Sequence, residues 1–178
     1  MAAAAALSQA HTGFEEPANE PKGLSMVVFS GDLDKVMGAF IIANAAAAMD
    51  MPVTMFFTFW GLNVLRRGES VHLKSSKTIV EKMFGRMMPR GPDHLTISQM
   101  NMAGMGTRML KNEMRKKNII PLSKLIEQAQ AQGVQMIACE MSMQVMGIKK
   151  EELLPGVMLA GAATYVARAD ESRVSLFI

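Results

Sequence analysis

One cysteine, Cys139, stands in a chain of 178 residues, and that scarcity removes several kinds of chemistry at once. An intramolecular disulfide framework and a CxxC pair are both excluded, so any disulfide must join two chains. A thioredoxin-type redox cycle is excluded with them, because it needs a second thiol to resolve the mixed disulfide. Histidine is scarce too. His11, His72 and His94 are scattered, and together with one thiol they offer no short ligand spacing, so no metal site is expected. A cysteine hydrolase would need a histidine to take the thiol proton. His11 falls in a polar tail, which leaves His72 and His94 as the residues that could fold over Cys139.

Strong charge of either sign is also missing. The formal net charge is +3 and the isoelectric point is near 9.1, without the dense basic clusters that track a phosphate backbone, so no nucleic-acid partner is expected. Residues 1–10 are alanine-rich but lack the basic start of a secretory signal, and residues 11–22 are polar, with Pro17 and Pro21. Residues 1–22 are therefore expected to form a mobile tail. The long apolar stretch 40–60 is interrupted by Asn44, Asp50 and Pro52, which favours a helix followed by a buried strand over a membrane span. The single unpaired thiol fits a reducing cytoplasm.

What is present suits one domain over residues 23–178, with 49% hydrophobic content to fill a core. Continuous apolar runs at 24–29 (LSMVVF), 53–59 (VTMFFTF) and 134–138 read as strands buried on both faces. Residues 156–160 and 173–178 supply two more. Helical patterns at 33–49, 121–133 and 163–169 alternate with them, and a short helix is expected at 62–67. Alternation of this kind predicts an α/β fold, a three-layer α/β/α sandwich on an open parallel sheet of about five strands. A methionine-rich helical excursion is expected at about 68–118, with Ser98 as a helix N-cap. Met102, Met105, Met109 and Met114 recur there at helical spacing, which points to core or subunit interface. Arg108, Lys111, Arg115 and Lys116 read as a solvated face, with an acidic protein partner as the sharper alternative.

Cys139 falls where the apolar run 134–138 gives way to a helical pattern from Glu140. In open parallel sheets, ligands bind outside the carboxyl ends of the strands, where strand order reverses. Ser30, Gly31 and Asp32 follow the first strand, and Thr58, Trp60 and Gly61 follow the second. A helix start favours thiolate over thiol. The plain alternative is a buried free cysteine behaving as a small hydrophobe. The turn at Ser30 to Asp32 could cradle an anion, but helix capping is the more economical reading. Gly104 and Gly106 do not make a dinucleotide loop, since Met109 occupies the third glycine position within a helical pattern.

Longer blocks carry a resemblance. The segments SGDLDKVMGAFIIANAAAAMDMPVTMFFTFWGLNVLRR (30–67), KMFGRMMPRGPDHLTISQMNMAGMGTRMLK (82–111) and ACEMSMQVMGIKKEEL (138–153) resemble the DsrE/DsrF/DsrH-like family. GVMLAGAATYVARADESRVSLFI (156–178) is similar to its C-terminal end, and Cys139 matches the cysteine of the ACxMSM motif in the DsrE-type sulfur carrier subfamily. The resemblance implies a flavodoxin-like or Rossmann-like sandwich, homo- or hetero-oligomers, and cytoplasmic sulfur trafficking without a cofactor. In that chemistry Cys139 takes sulfane sulfur as a persulfide and hands it to another thiol, on a TusA-type carrier or a rhodanese. Backbone N–H groups of Glu140, Met141 and Ser142 would stabilise the anion, with Ser30, Gly31 and Trp60 as the opposite wall. A different class of function stays open: a noncatalytic subunit binding a small ligand or nucleotide in the same crevice, with Cys139 structural.

Overall fold

The computed structural model describes residues 23–68 and 87–178. The expected tail at 1–22, His11 and His72, and the part of the excursion at 69–86 lie outside the described residues. Strands β1 (Gly23–Val28), β2 (Val53–Phe57), β3 (Gln135–Cys139), β4 (Met158–Ala160) and β5 (Ser172–Phe177) form one five-stranded sheet in the order β4-β3-β2-β1-β5. Every pairing is parallel. β1 sits one strand in from an edge, as in flavodoxin-like sheets, but here the edge strand beside it comes last in the chain. Strand order therefore reverses at β1.

Strand alternation assigns the two faces. Leu24, Met26 and Val28 of β1, Met55 and Phe57 of β2, and Met136 and Ala138 of β3 belong to the main core. Helices α1 (Leu33–Ala48) and α3 (Leu122–Ala131) pack on that side and against each other. Asn44 of α1 donates to the Leu125 carbonyl at 3.0 Å, which sets their register. Phe40 and Phe57 stack there with centroids 6.1 Å apart, both fully buried. Each such side chain contributes about 1.5–3 kcal/mol relative to exposure. On the opposite face Phe56, Ile137 and Cys139 form a small cluster under helix α5 (Ala162–Asp170), which packs against β1, β2 and β5. No residue of α5 is itself buried.

Several boundaries differ from the sequence expectation. The short helix after β2 is a 3-10 helix at Phe59–Leu65, starting earlier than expected, because Gly61 N–H donates to the Phe29 carbonyl at 2.9 Å and draws the turn against β1. A Cβ at Gly61 would collide with the Val28 carbonyl, so only glycine permits that approach. Ser98 is not an N-cap: its hydroxyl and N–H both donate to the Asp34 carboxylate, at 2.6 and 2.8 Å. Helix α2 (Met105–Lys116) begins later, after Gly104 in the left-handed region. Its inward face carries Thr107 and Met114, with Leu110 packed at the core edge. Met102, Met105 and Met109 stay exposed, so the core reading of the methionine stripe holds for Met114 alone among the four.

Candidate functional site

Cys139 is the last residue of β3 and the N-cap of the seven-residue helix α4 (Glu140–Met146). Its φ of −68° and ψ of 113° keep it extended while the next residue turns into the helix. Extended geometry sends its side chain to the same face as Ile137, away from the main core. There it packs with Phe56 and Ile137, covered by Val27, Ala160 and Tyr165. Tyr165 of α5 stacks on Phe56 with centroids 5.2 Å apart. The thiol is free but only 3% exposed.

The helix after Cys139 is anchored from below. Ser142, fully buried, lies with its Oγ 2.7 Å from Thr58 Oγ1 at the carboxyl end of β2. Met143 and Met146 of α4 point into the main core, and Gly147 ends the helix in the left-handed region. Glu140 and Met141 face solvent, Met141 at 58% exposure. Glu140 is therefore exposed to solvent while the thiol beside it is buried.

Ser30, Gly31 and Trp60 form a second group. A Cβ on Gly31 would stand 2.8 Å from the Trp60 carbonyl oxygen, so those two segments touch at backbone level. The Ser30 hydroxyl donates to Asp32 Oδ2 at 3.0 Å and accepts from the Asp32 N–H at 3.1 Å. Asp32 holds the N-cap position of α1, but its carboxylate also takes Lys35 Nζ at 2.8 Å and bonds no helix N–H. The turn is thus locked by its own side chains. Ser30 and Gly31 follow β1, two strands from β3 and its Cys139, whereas Trp60 follows β2, the strand beside β3. At the β1 and β5 boundary, where strand order reverses, Phe29 packs against Phe59 and Phe177, and Phe29 N–H and Ser30 N–H both donate to the Ile178 carbonyl. The thiol is therefore offset from the reversal point, and an aromatic cluster occupies that point instead.

Tyr165, Phe56 and Thr58 surround the thiol and its helix, and only Thr58 had a sequence cue, its place after β2. The alternation of Ile137 and Cys139 identifies the face, but which helix covers it depends on β4 and β5 lying at opposite edges. His94 is exposed in a 3-10 turn at Pro92–His94, beside α3 rather than in the cluster around Cys139. Among the described residues no group of three potential ligands could hold a metal ion, and no helix is long and apolar enough to cross a membrane.

A five-stranded parallel sheet flanked by helices, with Cys139 ending its third strand, defines an α/β protein. The chain belongs to the DsrE/DsrF/DrsH-like family, whose model matches residues 20–177. It is 52% identical over 159 residues to an uncharacterized protein, YrkE, of Bacillus subtilis, covering 89% of this chain and 98% of that one. It is 34% identical over 163 residues to the sulfur carrier protein DsrE2 of Allochromatium vinosum, covering 89% and 99%. Among solved structures, the ychN protein from E. coli matches with a TM-score of 0.55 at 11% identity, covering 88% of this chain and 99% of that one. MTH1491 from Methanobacterium thermoautotrophicum, a protein of unknown function, matches with a TM-score of 0.51 at 14% identity, covering 87% and 97%. These two likenesses concern the fold.

Proposed function

We propose that this protein is a sulfur carrier whose Cys139 accepts sulfane sulfur as a persulfide and passes it to a partner thiol. The observation that carries the reading is the position of the chain's only cysteine, at a strand-to-helix junction, in a chain that matches the family model and is 34% identical to a named sulfur carrier. The exchange balances without an external oxidant. The Cys139 thiolate attacks the outer sulfur of a donor persulfide, forming an S–S bond as the donor thiolate leaves. An acceptor thiolate then attacks that outer sulfur, and the Cys139 thiolate leaves in turn. No second cysteine in the chain is needed.

Donor and acceptor are sulfur-relay proteins such as a rhodanese or a TusA-type carrier, and the site of action is the cytoplasm, where a lone thiol stays reduced. Trp60, Met141 and Val145 are exposed near the carboxyl edge of the sheet and suit contact with such a partner or with a second copy in a homo-oligomer. The test loads the protein with polysulfide, removes excess reagent and adds a small acceptor thiol. Release of sulfane sulfur by the wild type, and none by Cys139→Ser, is the expected result.

Burial of Cys139 favours one competing reading, a structural thiol in a noncatalytic ligand-binding subunit. In that case the folded protein neither loads sulfur nor reacts with alkylating reagents at Cys139.

A further inference from the structure

A cavity lies on the other side of the sheet from the thiol. It has a volume of about 440 Å³, within the range of small-molecule sites. Leu33, Met114 and Leu122 line it and belong to the main core, whereas Cys139 belongs to the opposite cluster. Ile119 and Pro121 continue the apolar wall. Into this apolar hollow helix α2 directs Arg108, Lys111 and Arg115, spaced so that all three share one helix face.

Those cations are available to a ligand. Among the described residues none of the three forms an ion pair. Lys111 Nζ donates to the backbone carbonyl of Asp93 at 2.7 Å, and Arg115 reaches only the Asn112 side-chain oxygen at 3.5 Å. Among the described residues Asp93 is the one carboxylate in the lining, so positive charge prevails there. The wall bearing Pro92 and Asp93 is fixed, because Leu33 N–H donates to the Thr96 carbonyl at 2.8 Å and Ser98 is held by Asp34. A surface stripe that served only solubility would not need an apolar hollow beneath it.

We propose that this cavity binds a small amphipathic anion, a phosphate monoester with an apolar body. Its head lies against Arg108 and Arg115, whose planar guanidinium groups match phosphate oxygens in pairs. Its body lies along Leu33, Met114 and Ile119. The site is independent of sulfur chemistry and stands or falls apart from it.

Octyl phosphate is the probe, titrated calorimetrically into the full chain below its micellar concentration, with inorganic phosphate and octanol as separate arms. Octyl phosphate is expected to bind at least about tenfold more tightly than either arm. The exposed pair Arg108→Gln and Arg115→Gln should weaken it by about tenfold or more, and Ile119→Glu should abolish it by placing a carboxylate against the apolar body. Cys139→Ser should bind unchanged. Vesicles containing phosphatidic acid that capture the wild type but not these variants identify a lipid as the source of the head group. Absence of capture, with octyl phosphate still bound, identifies a soluble organic phosphate. Equal affinity for inorganic and octyl phosphate overturns the proposal, as does full affinity in the double variant.

Discussion

Thr58 Oγ1 and Ser142 Oγ lie 2.7 Å apart, joining the carboxyl end of β2 to the first turn of the helix that follows Cys139. Ser142 has no solvent exposure, so the bond holds α4 in place without help from water. Removing one hydroxyl leaves the other without its partner in a dry setting. Ser142→Ala is expected to lower unfolding stability by about 1–2 kcal/mol. Thr58→Val combined with Ser142→Ala should cost less than the two single losses added, as chemical denaturation of the four proteins would reveal.

Arg66 and Glu152 make a buried ion pair at 3.4 Å, with side-chain exposures of 1% and 6%. It pins the end of the 3-10 helix to the turn at Lys150–Glu152, where Arg67 N–H also donates to the Glu152 carbonyl at 2.8 Å. Burial pushes the Arg66 guanidinium below its ordinary value, while Glu152 pulls it back and Arg90 adds to the depression. Truncating one partner strands a buried charge, so Arg66→Met is expected to destabilise by about 3–5 kcal/mol. Arg66→Met with Glu152→Leu should recover much of that loss. A double variant as unstable as the single one would show that the pair's remaining contacts matter more than its charges.

Tyr165 packs against the small cluster that holds the thiol. Its ring stacks on Phe56, and no residue of its helix is buried. Tyr165→Ala is expected to speed alkylation of Cys139 by iodoacetamide several-fold, at a stability cost of about 1–2 kcal/mol. An unchanged alkylation rate would mean that access runs by another route.

The Asp34 contact with Ser98 depends on pH. Burial raises the Asp34 carboxyl, but hydrogen bonds from the Ser98 hydroxyl and N–H, its own N–H and the nearby Lys35 charge outweigh it, so it titrates below the ordinary 3.8. A carboxyl depressed on folding contributes stability above its unfolded value and loses it as pH falls through the folded one. Asp34 is exposed, so solvent screening limits the effect to about 0.5–1 kcal/mol. Ser98→Ala should thus destabilise at neutral pH and differ little from wild type under strong acid. Thermal unfolding at both pH values checks it.

The sheet was legible because its strands are continuous apolar runs bounded by turns, and the run ending at Ala138 put Cys139 at a strand end. The observed strand closes on Cys139 itself, one residue later. What covers the thiol was not legible: Tyr165 sits twenty-six residues further along the chain, and its meeting with Phe56 depends on how α5 crosses the sheet. Ser98 misled for a similar reason, since Asp34, sixty-four residues away, takes its hydroxyl. In α2, Thr107 and Met114 face inward, while Met105 and Met109 stay outside. Arg108, Lys111 and Arg115 line a cavity that the bare charge pattern presented as an ordinary solvated face.

The central claim is that Cys139 carries sulfur, and intact mass measurement of reduced wild type and Cys139→Ser after exposure to polysulfide tests it most directly. Added sulfur on the wild type alone, removed by dithiothreitol, is the predicted result. No addition to the wild type, or equal addition to the serine variant, would contradict it.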